Sequence, residues 1–133
     1  MAGEKILDVV CLTLPQNDHM AKIVRLTTAA VANKTGLNLD QADDLQTGLD
    51  ELFRLFLADS HPPRGNLCIK YRLHPGMLEV VAGGLSLDLF GDDNELNRYS
   101  RFILEQIADK VEELPSPLGG YEVILIKNMA ELS

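Results

Sequence analysis

Residues Asp40 to Ala58, DQADDLQTGLDELFRLFLA, decide how the rest of the chain is read. Leu45, Leu49, Leu52, Phe53 and Phe56 recur at helical spacing, so the segment forms a helix with one stripe turned to a core. Asp40 is placed to accept the free backbone amides at the start, and Asp43 and Asp44 sit where the helix dipole favours negative charge. Glu51 falls roughly opposite the centre of the stripe, in line with Asp44, Gly48 and Leu55. Any chemistry carried by this helix belongs on that line.

Upstream, Ile6 to Leu14 is rich in β-branched and apolar residues and stops at Pro15, as a strand does. A helix is expected from about His19 to Thr35, with Met20, Ile23, Val24, Thr27 and Val31 on its inner face and Lys22, Arg25 and Lys34 on the other. Gly36 is suited to end it in a left-handed conformation. Downstream, Leu67 to Leu73 alternates apolar and polar residues, His74-Pro75-Gly76 turns, and Met77 to Ala82 returns, which predicts a hairpin. A third helix is expected from Asn94 to about Glu113, with Leu96, Tyr99, Ile103, Ile107 and Val111 inward. Tyr121 to Lys127 is the last strand. Strand, helix, helix, strand, strand, helix, strand is the order of a two-layer α+β sandwich, and residues 1–133 form one domain around one core.

Twelve Lys and Arg against twenty Asp and Glu leave a net charge of −8, the wrong sign for wrapping nucleic acid, and the basic residues form no stripe. A hydrophobic fraction of 46% with 24% charged residues suits a soluble globular chain. No apolar run has membrane-spanning length and the start lacks a basic region followed by an apolar core, so a cytoplasmic protein without membrane contact is expected. Cys11 and Cys68 fall in separate strands and read as two reduced, half-buried thiols. His19, His61 and His74 have no paired spacing, so no metal site is expected. Asp50 is spaced to pair with Arg54 one turn later, which leaves Glu51 either solvated or free for acid–base work.

The stretch KIVRLTTAAVANKTGLNLDQADDLQTGLDEL, residues 22–52, resembles the opening of the anti-sigma-factor serine kinases, members of the GHKL superfamily. The matching elements are Arg25-Leu26-Thr27, Gly36, Asp43-Asp44-Leu45 and Asp50-Glu51. The resemblance implies the Bergerat, or histidine-kinase-like ATPase, fold: a mixed, mainly antiparallel sheet covered on one face by three helices. It also implies partners. Members hold a sigma factor away from RNA polymerase, and many use ATP and Mg2+ to phosphorylate a serine of an anti-anti-sigma protein. An arginine of the first helix, here Arg25, contacts both partners, and homodimers formed through the first helix and sheet edge are common.

Against that pattern, three elements have changed. The family's general base matches Glu51, but its magnesium-binding Asn falls at Leu55, which has no oxygen for a hard cation. The acid that recognises adenine falls at Gly83, with Gly84 following, and loss of one such hydrogen bond weakens binding about tenfold or more. Only Gly83 to Asp93 is available for a phosphate-covering lid. The reading that follows is an anti-sigma factor that sequesters a sigma factor, an anti-anti-sigma antagonist or both, with its ATP-binding motifs eroded, Glu51 vestigial and no cofactor. Its rivals are an active ATP-dependent serine-protein kinase, which would need ATP and Mg2+, and a non-catalytic scaffold that pairs with a regulatory homologue.

Overall fold

A computed structural model describes residues 8–58, 66–85, 91, 94–117 and 119–129. Strand β1 (Asp8–Leu14) leads through a short 3-10 turn (Asp18–Met20) into α1 (Ala21–Thr35) and α2 (Leu39–Ala58). Then come the hairpin β2 (Leu67–His74) and β3 (Met77–Leu85), α3 (Glu95–Ile107), and the strands β4 (Lys110–Pro115) and β5 (Tyr121–Asn128). The five strands form one sheet in the order β1-β2-β3-β5-β4. Every described pairing is antiparallel, so the expected mixed sheet is purely antiparallel here.

The α+β sandwich expected from the element order is the observed one. Alternation puts Leu67, Ile69, Tyr71 and Leu73 of β2 on one face with Leu78, Val80 and Ala82 of β3 and Val123 and Leu125 of β5, all buried. The helices lie side by side on that face, α1 against β2, α2 against β3 and α3 against β4. α2 is the central element: Leu45, Leu49, Leu52, Phe53 and Phe56 are all buried, as its periodicity requires. Thr28 of α1 and Tyr71 of β2 share a hydrogen bond of 2.6 Å inside the core, and burial pushes the Tyr71 phenol up to about 12 against the opposing pull of that bond.

Several expectations are corrected. The third helix does not run to Glu113; it stops at Ile107, and Lys110–Pro115 is an edge strand paired with β5. Val111 fits the helical pattern by position, but backbone pairing to Leu125 claims it for the sheet. The inner face of α3 is Asn97, Ser100, Leu104 and Ile107, while Leu96 and Tyr99 point outward at 70% and 59% exposure. On α1 the buried set is Val24, Thr28, Val31 and Ala32, and Ile23 is exposed. α2 is capped not by Asp40 but by Asn38, whose side chain accepts from the Gln41 amide while Gln41 returns a bond to the Asn38 amide. Gly36 does end α1 left-handed, at φ +84°. Asn94 caps α3 by accepting from the Asn97 amide. Ile6, His61 and much of the Gly83 to Asp93 stretch, residues 86–90 and 92–93, lie outside the described residues.

Candidate functional site

Asp50 and Glu51 are neighbours in sequence and have opposite surroundings. Consecutive positions on a helix are about 100° apart, so one can face α1 while the other turns toward α3. Asp50 accepts from Arg25 Nε at 3.1 Å, with both side chains about half exposed, and Gln46 Nε2 donates to the Arg25 carbonyl at 2.7 Å. The expected Asp50–Arg54 pair is not formed. Arg54 reaches Glu51 instead, through Nη2 to Oε2 at 2.6 Å and Nε to Oε1 at 3.1 Å.

Glu51 itself is buried, at 7% exposure, rather than solvated. The Ser100 hydroxyl on α3, itself fully buried, donates to Oε2 at 2.5 Å. Burial pushes the Glu51 carboxyl up, but the bonds from Arg54 and Ser100 and the charge of Arg54 outweigh it and hold the group below the usual glutamate range. Both carboxylate oxygens are therefore engaged, and the group is a weaker base than a free glutamate.

Leu55, one turn beyond Glu51, is buried in the core at 5% exposure. Gly83 and Gly84 stand near the end of β3, where the pairing with β5 skips a residue between Gly83 and Leu85. The two glycines differ. A Cβ at Gly83 would make ordinary contact with the Glu122 side chain, at 3.4 Å. Gly84 has φ +104°, and a Cβ there would lie 2.6 Å from the backbone oxygen of Asn66, so this backbone admits no side chain.

Residues given no site role in the sequence reading complete the junction. Lys127 of β5, 8% exposed, donates to the carbonyl of Ile107 at 2.6 Å and to Asp44 at 3.2 Å, so one cation neutralises the C-terminal end of α3 and ties it to α2. The i,i+3 spacing of Glu51 and Arg54 was available as a signal. Ser100 and Lys127 gave none, because their partners lie 49 and 83 residues away. A groove of about 570 Å³ runs between α1 and β1, lined by Val9, Val10, Leu26, Thr27, Ala30 and Val31 among others. Glu51, Leu55, Gly83 and Gly84 are not part of it.

No family model matches the chain. Similarity to known proteins is nevertheless extensive. A serine-protein kinase RsbW of Bacillus cereus strain AH187 is 25% identical over 123 residues, covering 90% of this chain and 72% of the relative. One from Bacillus licheniformis is 24% identical, covering 96% of this chain and 78% of that one. This chain is weakly homologous to the RsbW serine-protein kinases. The crystal structure of the RsbU and RsbW domains of Rv1364c from Mycobacterium tuberculosis superposes with a TM-score of 0.71 at 11% identity. That match covers 95% of this chain and 34% of the solved one, so the present chain spans about a third of its length. The resemblance seen at residues 22–52 thus extends to nearly the whole chain in sequence and to the RsbW fold in structure.

Proposed function

We propose that the chain is a non-catalytic regulator of the anti-sigma type, which binds a sigma factor or an anti-anti-sigma protein through the surface around Arg25 and no longer turns over ATP. The observation that carries this reading is the closed state of Glu51. A general base needs a lone pair directed at the proton it removes, and its efficiency falls as its pKa drops away from the working pH. Arg54 and Ser100 direct three hydrogen bonds at the two oxygens and hold the carboxyl low, while Leu55 offers hydrocarbon where a magnesium ligand is needed.

The Arg25–Asp50 pair supports a binding role. An exposed ion pair of this kind contributes about 0–1 kcal/mol, so a carboxylate on a partner can replace Asp50 at little cost. A guanidinium gives such a carboxylate bidentate recognition. Titration calorimetry of the chain against Mg-ATP and against a candidate sigma factor tests the reading on one sample. Heat from the sigma factor, abolished by Arg25→Glu, with none from Mg-ATP at micromolar concentration, is the expected result. Micromolar Mg-ATP binding with phosphate transfer to a serine of an anti-anti-sigma protein would replace it with the kinase reading, which the names of the relatives favour. Binding to a kinase homologue alone would leave the scaffold reading.

A further inference from the structure

The face of the sheet away from the helices holds both cysteines, and the register sets their relation. Cys11 of β1 stands opposite Lys70 of β2, and Thr13 stands opposite Cys68. All four belong to the alternate set that points away from the inward row of Ile69 and Tyr71, which are buried, and Val10 and Leu12, which are partly buried. Cys11 and Cys68 are therefore diagonal neighbours at the corners of one square of the ladder, with Lys70 and Thr13 at the other two. The half-buried thiols expected from the sequence differ: Cys11 is exposed and Cys68 partly so. Cys68 lies on an interior strand, yet its partner on the β3 side is Gly83, which has no side chain to cover it.

Distance decides what such a pair can do. Diagonal residues on antiparallel strands have Cα atoms about 7–8 Å apart. A disulfide needs Cα atoms within roughly 7 Å, so closing one would drag β1 along β2. Two thiolates joined through a soft cation reach further, because two metal–sulfur bonds of about 2.3 Å are inserted between the sulfurs. Among the described residues no three His, Cys, Asp or Glu side chains gather into a cage, so four-coordinate zinc lacks ligands. A monovalent d10 cation is satisfied by two soft sulfurs alone. Two thiolates and one such cation carry a net charge of −1, and the Lys70 ammonium opposite Cys11 offsets it.

We infer that Cys11 and Cys68 form a two-thiolate site for a soft monovalent cation of the Cu(I) class on the open face of the β1–β2 pair. Binding displaces two thiol protons and changes no oxidation state, so the site takes the metal already reduced. Occupancy fastens the edge strand β1 to β2. The inference is independent of the anti-sigma reading, since it uses none of Arg25, Glu51 or Leu55.

Competition for Cu(I) between the reduced protein and the coloured bis-bicinchoninate complex is the test. One Cu(I) per monomeric chain is expected, and Cys11→Ser or Cys68→Ser should each weaken binding more than about tenfold, whereas Thr13→Ser should not. Equal affinity in either single-cysteine variant, or half a copper per chain with dimer formation on a sizing column, overturns the inference in favour of an exposed thiol acting alone. A geometric control comes from Cys11→Ser combined with Thr13→Cys, which sets two thiols directly across the ladder. That variant should oxidise readily to an intramolecular disulfide while the parent does not; rapid disulfide formation in the parent contradicts the distance argument.

Discussion

The two seams of α2 offer a controlled comparison. Toward α1 it presents Asp50, exposed and paired with an arginine that water already half surrounds; toward α3 it presents Glu51, buried and held by Arg54 and Ser100. The same chemical group, one residue along, is an exchangeable surface charge on one side and a structural fastening on the other. The α1 seam leaves its ionic groups half exposed. The α3 seam has turned its ionic groups into internal contacts.

The strongest way to break the contrast is to restore oxygen to the closed seam. Leu55→Asn places an amide where a buried leucine now packs, and a loss of about 3–5 kcal/mol in denaturant unfolding is expected. A well-folded variant that gains Mg-ATP binding would show the cleft still open. The two glycines near the end of β3 give a sharper, position-specific outcome. Gly84→Asp should cost about 1–3 kcal/mol from its backbone conformation alone, before its clash with Asn66 is counted. Gly83→Asp should cost less, since contacts there are ordinary. Equal losses would remove the distinction between the two glycines.

Glu51→Gln is expected to lower stability by about 1–3 kcal/mol at neutral pH, because the amide removes the charge and one of the two acceptor oxygens that Arg54 and Ser100 share. The sign with pH follows from the folded carboxyl lying below its unfolded value. Its stabilisation is complete above the unfolded pKa and is lost as pH falls through the folded one. The gap between parent and variant in urea midpoint should therefore narrow in acid and stay constant above neutrality; a pH-independent gap would contradict the fastening role. At the open seam, Arg25→Ala and Asp50→Ala should each change stability by only about 0.5 kcal/mol. A loss near that of Glu51→Gln would mean that both seams are structural.

Much of this architecture was legible from spacing alone. α2, its buried stripe, the β2–β3 hairpin and the left-handed Gly36 all follow from local pattern, which short-range geometry enforces. The end of α3 was not legible, because Val111 satisfies a helical period and only pairing with Leu125 reveals a strand. The rotation of α3 escaped for a related reason: Asn97 and Ser100 look like surface residues, yet both are buried, and Ser100 meets Glu51 of α2. Arg25, Leu55 and the two glycines were singled out by the family resemblance and not by spacing. Which acid Arg54 joins could not be read from the sequence, since Asp50 and Glu51 are both within helical reach of it.

Register also orders the assembly of the sheet. β2 and β3 meet at His74 and Met77, three residues apart, whereas β1 must find Leu67 from Leu14 and Leu73 from Asp8, across 53 and 65 residues. Closing loops of that length before any contact rewards them makes β1 the late arrival in folding. Among the described residues β1 and β4 are the outer strands, each with one hydrogen-bonded neighbour, and β1, closed by the longer loop, is the one expected to detach first when the native state breathes. Amide exchange should run fastest at Asp8–Leu14 and slowest across Leu78–Ala82, a gradient imposed by chain connectivity.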